Sequence, residues 1–398
     1  RMVLLKFNNC HHFSLNYFTN MENSGNKPFT ILHMNELFIG LMSGTSLDGM
    51  DAVLVNFGEK PQDMKVMGHS YVGYEDTLKE SLLRLHSPNT NELEDSLLIG
   101  NMVSQKAYEA IQALLKKTNI DPKDIKAIGF HGQTIRHQPQ KGYTLQIGNP
   151  ALLAELSTIS VIADFRSRDV AASGQGAPLV PAFHHEVFSH PTTYRAILNI
   201  GGIANVTLLN PKASVSGFDT GPGNLLLDQW SKTHLHQPFD ENGAWAKEGE
   251  IIQPLLDAFF EDAYFKKTAP KSTGRDHFNE AWLNKHLQKS YSTQDIQRTL
   301  LELTALSIAK AIDSHDTNIT EIYLCGGGAL NGFLVHRLKT LMPKTNIQLT
   351  DALGLPTQHV EAAAFAWLAK QTLFLKPGNL PEVTGAKGLR ILGALYPA

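Results

Sequence analysis

Apolar positions along the chain fall into short runs punctuated by glycine, with longer stretches of helical spacing between them. LFIGLM (37–42) reads as a buried strand, the turn SGTSLDG follows, and MDAVLVNF (50–57) reads as the returning strand of a hairpin. Residues 76–117 carry apolar positions at helical spacing. IKAIGFHG (125–132), YTLQIG (143–148) and SVIADFR (160–166) read as strands, and PALLAEL as a helix with proline in its first turn. DVAASGQGAPLVPAFHHEVF (169–188) is loop and then helix, and marks a candidate boundary. AILNIGGIANVTLLN (196–210) is a second, tighter hairpin, and SGFDTGPGNLLLDQW (216–230) a turn followed by a helix. Residues 250–315 read as mostly helical, 321–339 as strand, triple glycine and helix, and 356–370 as a further helix. The end, from Lys376, is rich in proline and glycine. Strands interleaved with helices predict an α/β protein. Strand, glycine turn and strand recur half a chain apart, which suggests two related halves.

Residues 1–33 show neither period, and the first residue is Arg. We expect translation to begin at Met34, with the preceding segment an unstructured extension. Cys10, His11 and His12 within it lack a second ligand pair at zinc spacing.

Composition narrows the class. The 398 residues are 42% hydrophobic and 18% charged, with a net charge of -3. Such a chain is neither disordered nor basic enough to suggest a nucleic-acid surface. No apolar run approaches the roughly 18 residues of a membrane span. Two cysteines cannot build a disulfide framework, so a reducing, cytoplasmic setting is expected.

Three glycine turns carry the candidate chemistry. Ser43-Gly44-Thr45-Ser46-Leu47-Asp48-Gly49 offers hydroxyls and close-approaching backbone N–H groups to an anion, and Asp48 could hold Mg²⁺ through water. Gly201-Gly202 forms a second turn, and Gly326-Gly327-Gly328 a third that feeds a helix near Asn331. Any one could be an ordinary turn; three together suit a nucleotide cradle. The chain has no G-x-x-x-x-G-K-[ST], no G-x-S-x-G and no H-E-x-x-H. Asp219, among glycines in GFDTGPGN, could be a helix cap or a general base; Asn224 and Thr220 can serve as cap, which favours the base. His131, Gln133 and Thr134 at a strand end suit sugar hydroxyls. Asp164, Arg166, Arg168 and Asp169 form either a local ion-pair cluster or a ligand contact. Glu361, on an otherwise apolar helix, marks an exposed face or a ligand contact.

The blocks GLMSGTSLDGMDAVLV, GFHGQTIRHQP, LQIGNPALLAE, ADFRSRDVAASGQGAPLVPAFH, LNIGGIANVTLL, GFDTGPGN, KSTGRD and CGGGALN closely resemble the anhydro-N-acetylmuramic acid kinase family, from Met34 to the closing LGALYPA. The resemblance implies an actin-like (ribonuclease H-like) α/β fold of two domains, 34–185 and 186–398, with the last segment packing back on the first and a nucleotide cleft between. It implies ATP bound by Gly44, Thr45, Ser46, Asp48, Gly49 and Asp51 of the first hairpin, Gly201, Gly202 and Asn205 of the second, and Gly326, Gly327, Gly328 and Asn331 on the adenosine side. It also implies Mg²⁺, and Asp219 as the base activating water. The implied reaction opens the ring of 1,6-anhydro-N-acetylmuramic acid and phosphorylates O6, in cell-wall recycling. His131, Gln133, Thr134, Arg166, Asp169 and Glu361 are expected on the sugar side, with Arg166 or Arg168 facing the lactyl carboxylate. A homodimer, and neither nucleic acid nor membrane as partner, complete the expectation. An ordinary sugar kinase using a free hydroxyl and a non-catalytic sugar or nucleotide sensor are the rival readings.

Overall fold

The computed structural model describes residues 36–398, apart from Thr45, Pro270, Asp276, Asp316 and Thr317. The expectation for residues 1–33 lies outside the described residues. The first run becomes β1 (Glu36–Met42), which pairs antiparallel with β2 (Gly49–Phe57); β3 (Lys65–Gly73) adds to the far side of β2. The helical stretch divides at a polar turn into α1 (Asp76–Leu85) and α2 (Glu92–Thr118). β4 (Ile125–Phe130) lies parallel to β1, a separate hairpin follows as β5 (Gln133–Gln138) and β6 (Tyr143–Ile147), and β7 (Val161–Ala163) lies parallel to β4.

A second sheet repeats the plan. β8 (Arg195–Ile200), β9 (Ile203–Leu209) and β10 (Ser216–Pro222) are antiparallel neighbours; β11 (Glu321–Cys325) and β12 (Asn346–Leu349) continue parallel to β8. The orders β3-β2-β1-β4-β7 and β10-β9-β8-β11-β12 are the same succession of three antiparallel and two parallel strands. The echo between the two glycine hairpins therefore extends to the whole of each sheet. The last strand, β13 (Ala394–Tyr396), returns to pair with β7 in the first sheet.

Helices α3 (Leu225–His234), α4 (Thr293–His315) and α5 (Gly332–Leu341) belong to the second sheet's surroundings; α6 (Val360–Leu373) crosses to the first. Both faces of the first sheet are buried, which explains why its strands are continuous apolar runs. Ile39, Leu41 and Leu54 face Leu82, Val103 and Ile111 of α1 and α2, whereas Phe38 and Val53 face Phe365 and Leu368 of α6. Fully burying each such side chain contributes about 1.5–3 kcal/mol. Ile197 and Tyr323 of the second sheet join that second layer, so α6 lies in a core shared by both sheets. Glycine makes the close packing possible: a Cβ on Gly40 would lie 1.8 Å from the Ala362 carbonyl oxygen, and one on Gly129 2.0 Å from that of Phe365. The alanine-rich face of α6 has the same cause.

Three local expectations need correction. β3 and β5 are strands that the apolar pattern did not predict, because half-polar hairpin strands lack a continuous run. The 250–315 stretch is not continuously helical; residues 271–275 (KSTGR) form no helix, since Gly274 and a polar run supply no apolar face. GFDTGP is not an open turn but strand β10.

Candidate active site

The glycine turns of the second sheet converge on one another. The N–H groups of Gly223, Asn224 and Leu225 donate to the carbonyls of Gly202, Gly201 and Gly202 at 2.9, 2.8 and 3.1 Å. A Cβ on Gly223 would lie 2.2 Å from the Gly201 oxygen, and one on Gly328 2.3 Å from Ile200 and 2.8 Å from Asn224. The β8–β9 turn, the entry to α3 and the triple glycine after β11 thus meet as bare backbone. A Cβ on Gly201 would meet the Ile203 carbonyl oxygen at 3.6 Å, and one on Gly44 would meet Ser46 Oγ at 3.7 Å, both ordinary contacts, so neither backbone is closely covered. Such open backbone admits a phosphate. Asn331 caps α5, accepting the Leu334 N–H at 3.0 Å. Asn205 Oδ1 is enclosed and has no hydrogen-bond partner among the described residues.

In the first turn, Ser46 and Asp48 are exposed, and Thr45 lies outside the described residues. Gly49 has a packing reason, since a Cβ would lie 2.3 Å from the Val72 carbonyl oxygen. Gln133 belongs to this turn: its Oε1 accepts from Ser43 Oγ at 2.6 Å, and its Nε2 donates to the Gly44 carbonyl at 3.2 Å. It braces the turn rather than presenting a free amide. Asp51 pairs with His69 Nε2 at 2.8 Å and acts electrostatically on Glu361.

Asp48 interacts electrostatically with a second carboxylate, Asp228. Asp228, on the first turns of α3, is pushed up to about 7 by burial and by Asp48, with Arg275 opposing. Arg275 interacts with both acids, and burial pulls its guanidinium down. Asp228 and Arg275 went unnoticed in the sequence. Their signals were an acid one turn beyond GFDTGPGN and the arginine of KSTGRD.

Asp219 is held from three sides. A β-bulge in β10 falls between Asp219 and Gly221, whose φ is 152°. Bulges re-aim side chains in this way beside active sites. The Asp219 N–H donates to the Lys271 carbonyl at 3.1 Å, and Tyr264 Oη donates to the Asp219 carbonyl at 2.6 Å. The carboxylate accepts the Thr273 N–H at 2.9 Å through Oδ2. Burial pushes this carboxyl up to about 7, against the Thr273 bond and the positive charges of Lys271 and Arg166. The helix after it starts at Leu225, so Asp219 is not a helix cap.

The sugar-side candidates divide. Arg166 approaches His131 Nε2 through Nε and Nη2 at 3.2 and 3.1 Å, and donates through Nη1 to the Gly176 carbonyl at 2.8 Å. Burial brings its guanidinium down to about 10, while Glu361, Asp169 and Asp219 oppose. His131 is enclosed and held well below the ordinary imidazole range by burial and Arg166, so it is the neutral acceptor. Glu361 is turned inward, its carboxyl pushed up by burial and hydrogen-bonded to Asn199. That decides between the two readings of Glu361 in favour of the inward one. Asn199 was missed; its signal was an amide at the end of β8 beside the second glycine turn.

Asp169 has no free acceptor directed outward. Oδ2 takes the Gly176 N–H at 2.8 Å, and Oδ1 takes Asn379 Nδ2 and Thr384 Oγ1, each at 2.8 Å. It therefore fastens the loop that holds Arg166, instead of offering a carboxylate to a ligand. Arg168 is exposed and lines a separate surface cavity with Ile162, Thr372 and Leu395. Thr134 lies on the β5–β6 hairpin, accepting from Gln146 at 3.3 Å.

The chain matches a family model described as anhydro-N-acetylmuramic acid kinase over residues 36–398. It is 50% identical over 363 residues to an anhydro-N-acetylmuramic acid kinase of Nitrosomonas europaea, covering 91% of this chain and 99% of that one. A relative of the same name in Thiobacillus denitrificans is 48% identical over 369 residues, covering 92% and 98%. Among solved structures, the ADPNP-bound activator of the 2-hydroxyisocaproyl-CoA dehydratase from Clostridium difficile aligns with a TM-score of 0.44 and 15% identity, over 85% of this chain and 97% of that one.

Proposed function

We propose how the cleft works from one premise: the chain belongs to the anhydro-N-acetylmuramic acid kinase family. Its reaction is the ATP-dependent opening and phosphorylation of 1,6-anhydro-N-acetylmuramic acid, giving N-acetylmuramic acid 6-phosphate and ADP in peptidoglycan recycling. Water forms a bond to the anomeric carbon as the bond from that carbon to O6 breaks. O6 forms a bond to the γ-phosphorus as the bond to the β,γ-bridging oxygen breaks. O6 carries no proton, so the only proton to remove is the water's, and we assign it to Asp219. The observation carrying this assignment is a recessed carboxylate whose proton affinity lies near neutrality, the value a general base needs.

The open backbone at Gly44 and Gly201–Gly202 is proposed to take the phosphates, with Ser46 beside them, and the Gly326–Gly328 and Asn331 segment the nucleoside end. Hard oxygen donors on Asp48 and Asp228 fit Mg²⁺, which binds few protein ligands and keeps its waters. Among the described residues no cluster of three or more metal-binding side chains occurs. Bound there, Mg²⁺ would offset the charge developing on the phosphates. His131, Arg166 and Glu361 would bind the sugar, with Arg166 the cation for the lactyl carboxylate. Two mobile halves about the cleft, a homodimer and cytoplasmic residence belong to the same proposal. No helix among the described residues is long and apolar enough to cross a membrane.

Turnover in H₂¹⁸O tests the reading. We expect the label in the anomeric hydroxyl of the phosphorylated sugar and not in its phosphate. Label-free product, or equal turnover of N-acetylmuramic acid itself, would mean a conventional kinase using a free hydroxyl. Bound ATP with no product would mean a sensor.

A further inference from the structure

Lys271, which opens KSTGRD, is a charged motif residue to which the proposed reaction gives no role. Lys271 is joined to Asp219 twice over. Its carbonyl accepts the Asp219 N–H at 3.1 Å, and its ammonium lies 4.8 Å from the ring centre of Tyr264, the tyrosine whose hydroxyl holds the Asp219 carbonyl. Thr273, two residues on, donates to the Asp219 carboxylate. One short loop therefore fixes the base's backbone, one carboxylate oxygen and a nearby positive charge.

We propose that Lys271 is a positioning residue for the base: its ammonium, seated on the Tyr264 ring, is the charge that keeps the Asp219 carboxylate ionised in the working enzyme. The proposal rests on Asp219 as the base and deepens that reading. The charged and titratable groups facing Asp219 are Lys271, Arg166 and Tyr264. Arg166 is the weaker candidate for this role. It is tied to His131 and Gly176, and its charge is shared with Glu361 and Asp169 before Asp219. Lys271 makes no ion pair within contact distance among the described residues, and Asp219 is the acid that acts on it most. Lys267, 5.9 Å from the centre of the same ring, is the cation that opposes the charge on Lys271.

The sign follows from electrostatics. A nearby cation favours the charged carboxylate, so its removal raises the pH at which Asp219 takes its proton. Lys271→Met keeps the length and apolar stem of the side chain; Lys271→Arg keeps the charge. The experiment is a ¹³C NMR titration of the protein labelled at aspartate carboxyls, free of nucleotide and sugar, with the Asp219 signal assigned from Asp219→Asn. We expect the Asp219 midpoint to rise by about one unit in Lys271→Met and to stay near the parent in Lys271→Arg. An unchanged midpoint in folded Lys271→Met overturns the proposal, and so does an equal shift in both variants. This readout needs no turnover, so it separates a failure here from a failure of the kinase reading. In the active enzyme, the acid limb of kcat/KM should shift with the NMR midpoint in Lys271→Met. A uniform loss at every pH, with that limb unmoved, would instead make Lys271 a substrate contact.

Discussion

The two sheets have the same strand order, yet their third strands have opposite fates. β3 is an edge strand bearing Lys65, His69 and Tyr71, half-exposed and regular beside β2 except for one register shift. β10 occupies the same place beside β9, but its bulge falls at Asp219, and the Tyr264–Thr273 segment closes over it. The hairpins differ in the same way. The first turn brings hydroxyls and the Asp48 carboxylate; the second brings bare glycine backbone. A repeated scaffold thus supplies two similar cradles, and the chemistry comes from what breaks the repeat: where the bulge falls, the acid it carries and the loop against it. The fold sets where a ligand can lie, and the departures from symmetry decide what happens to it.

The largest test of this contrast is Asp219→Asn. It retains shape and one carbonyl acceptor for the Thr273 N–H but removes the base, and should lower kcat about 10²–10⁴-fold in an ADP-release assay. Loss of less than threefold would leave β10 no more special than β3. Next come the glycines. Gly40→Ala drives a methyl into the Ala362 carbonyl and should cost about 3 kcal/mol in denaturant unfolding. Gly201→Ala adds a methyl at ordinary contact distance, and should leave unfolding within about 0.5 kcal/mol while raising the KM for ATP. Equal destabilisation by both would mean that the second hairpin is only a packing device. Asp228→Asn probes the acids across the cleft. We expect about a tenfold higher Mg²⁺ requirement, which corresponds to about 1.4 kcal/mol. An unchanged requirement would place the metal on phosphate alone.

Much of this was legible in the chain. Buried strands such as β1 and β8 announce themselves as apolar runs because both of their faces are covered. The glycine turns are legible because few other residues permit such close backbone approach. Strands β3 and β5 were not legible, since their pairing is decided by partners distant in sequence. The helix carrying Glu361 could be read, but not its direction, because α6 is apolar all round and its single acid could point anywhere. The partners of Asp169 were hidden for a related reason: its three donors come from Gly176, Asn379 and Thr384, two of them over 200 residues away. The Asp48–Asp228 pair was hidden by the same distance. Local pattern identifies residues that can do chemistry; long-range contacts decide which of them are free to do it.

The last test concerns stability. Asp219 is held up at about 7 in the folded chain by burial, against about 3.9 when unfolded. Between those values the unfolded carboxyl has lost its proton and the folded one has not, so this group's contribution to stability falls as pH rises from 4 to 7. Above pH 7 the fold carries the full cost of a recessed charge, reduced by Lys271, Arg166 and the Thr273 N–H. Asparagine carries no such charge. Asp219→Asn should therefore match the parent near pH 4 and exceed it progressively as the pH rises to 8, by at most about 4 kcal/mol in urea unfolding. The same substitution at the first sheet's paired acid, Asp51→Asn, should show no such gain, because it removes the ion-pair partner of His69 without relieving a recessed charge. Two parallel stability curves for Asp219→Asn and its parent across that pH range would mean that β10 holds its carboxylate no more tightly out of water than β2 does. The chemical distinction between the two halves would then have to lie in the covering loop alone.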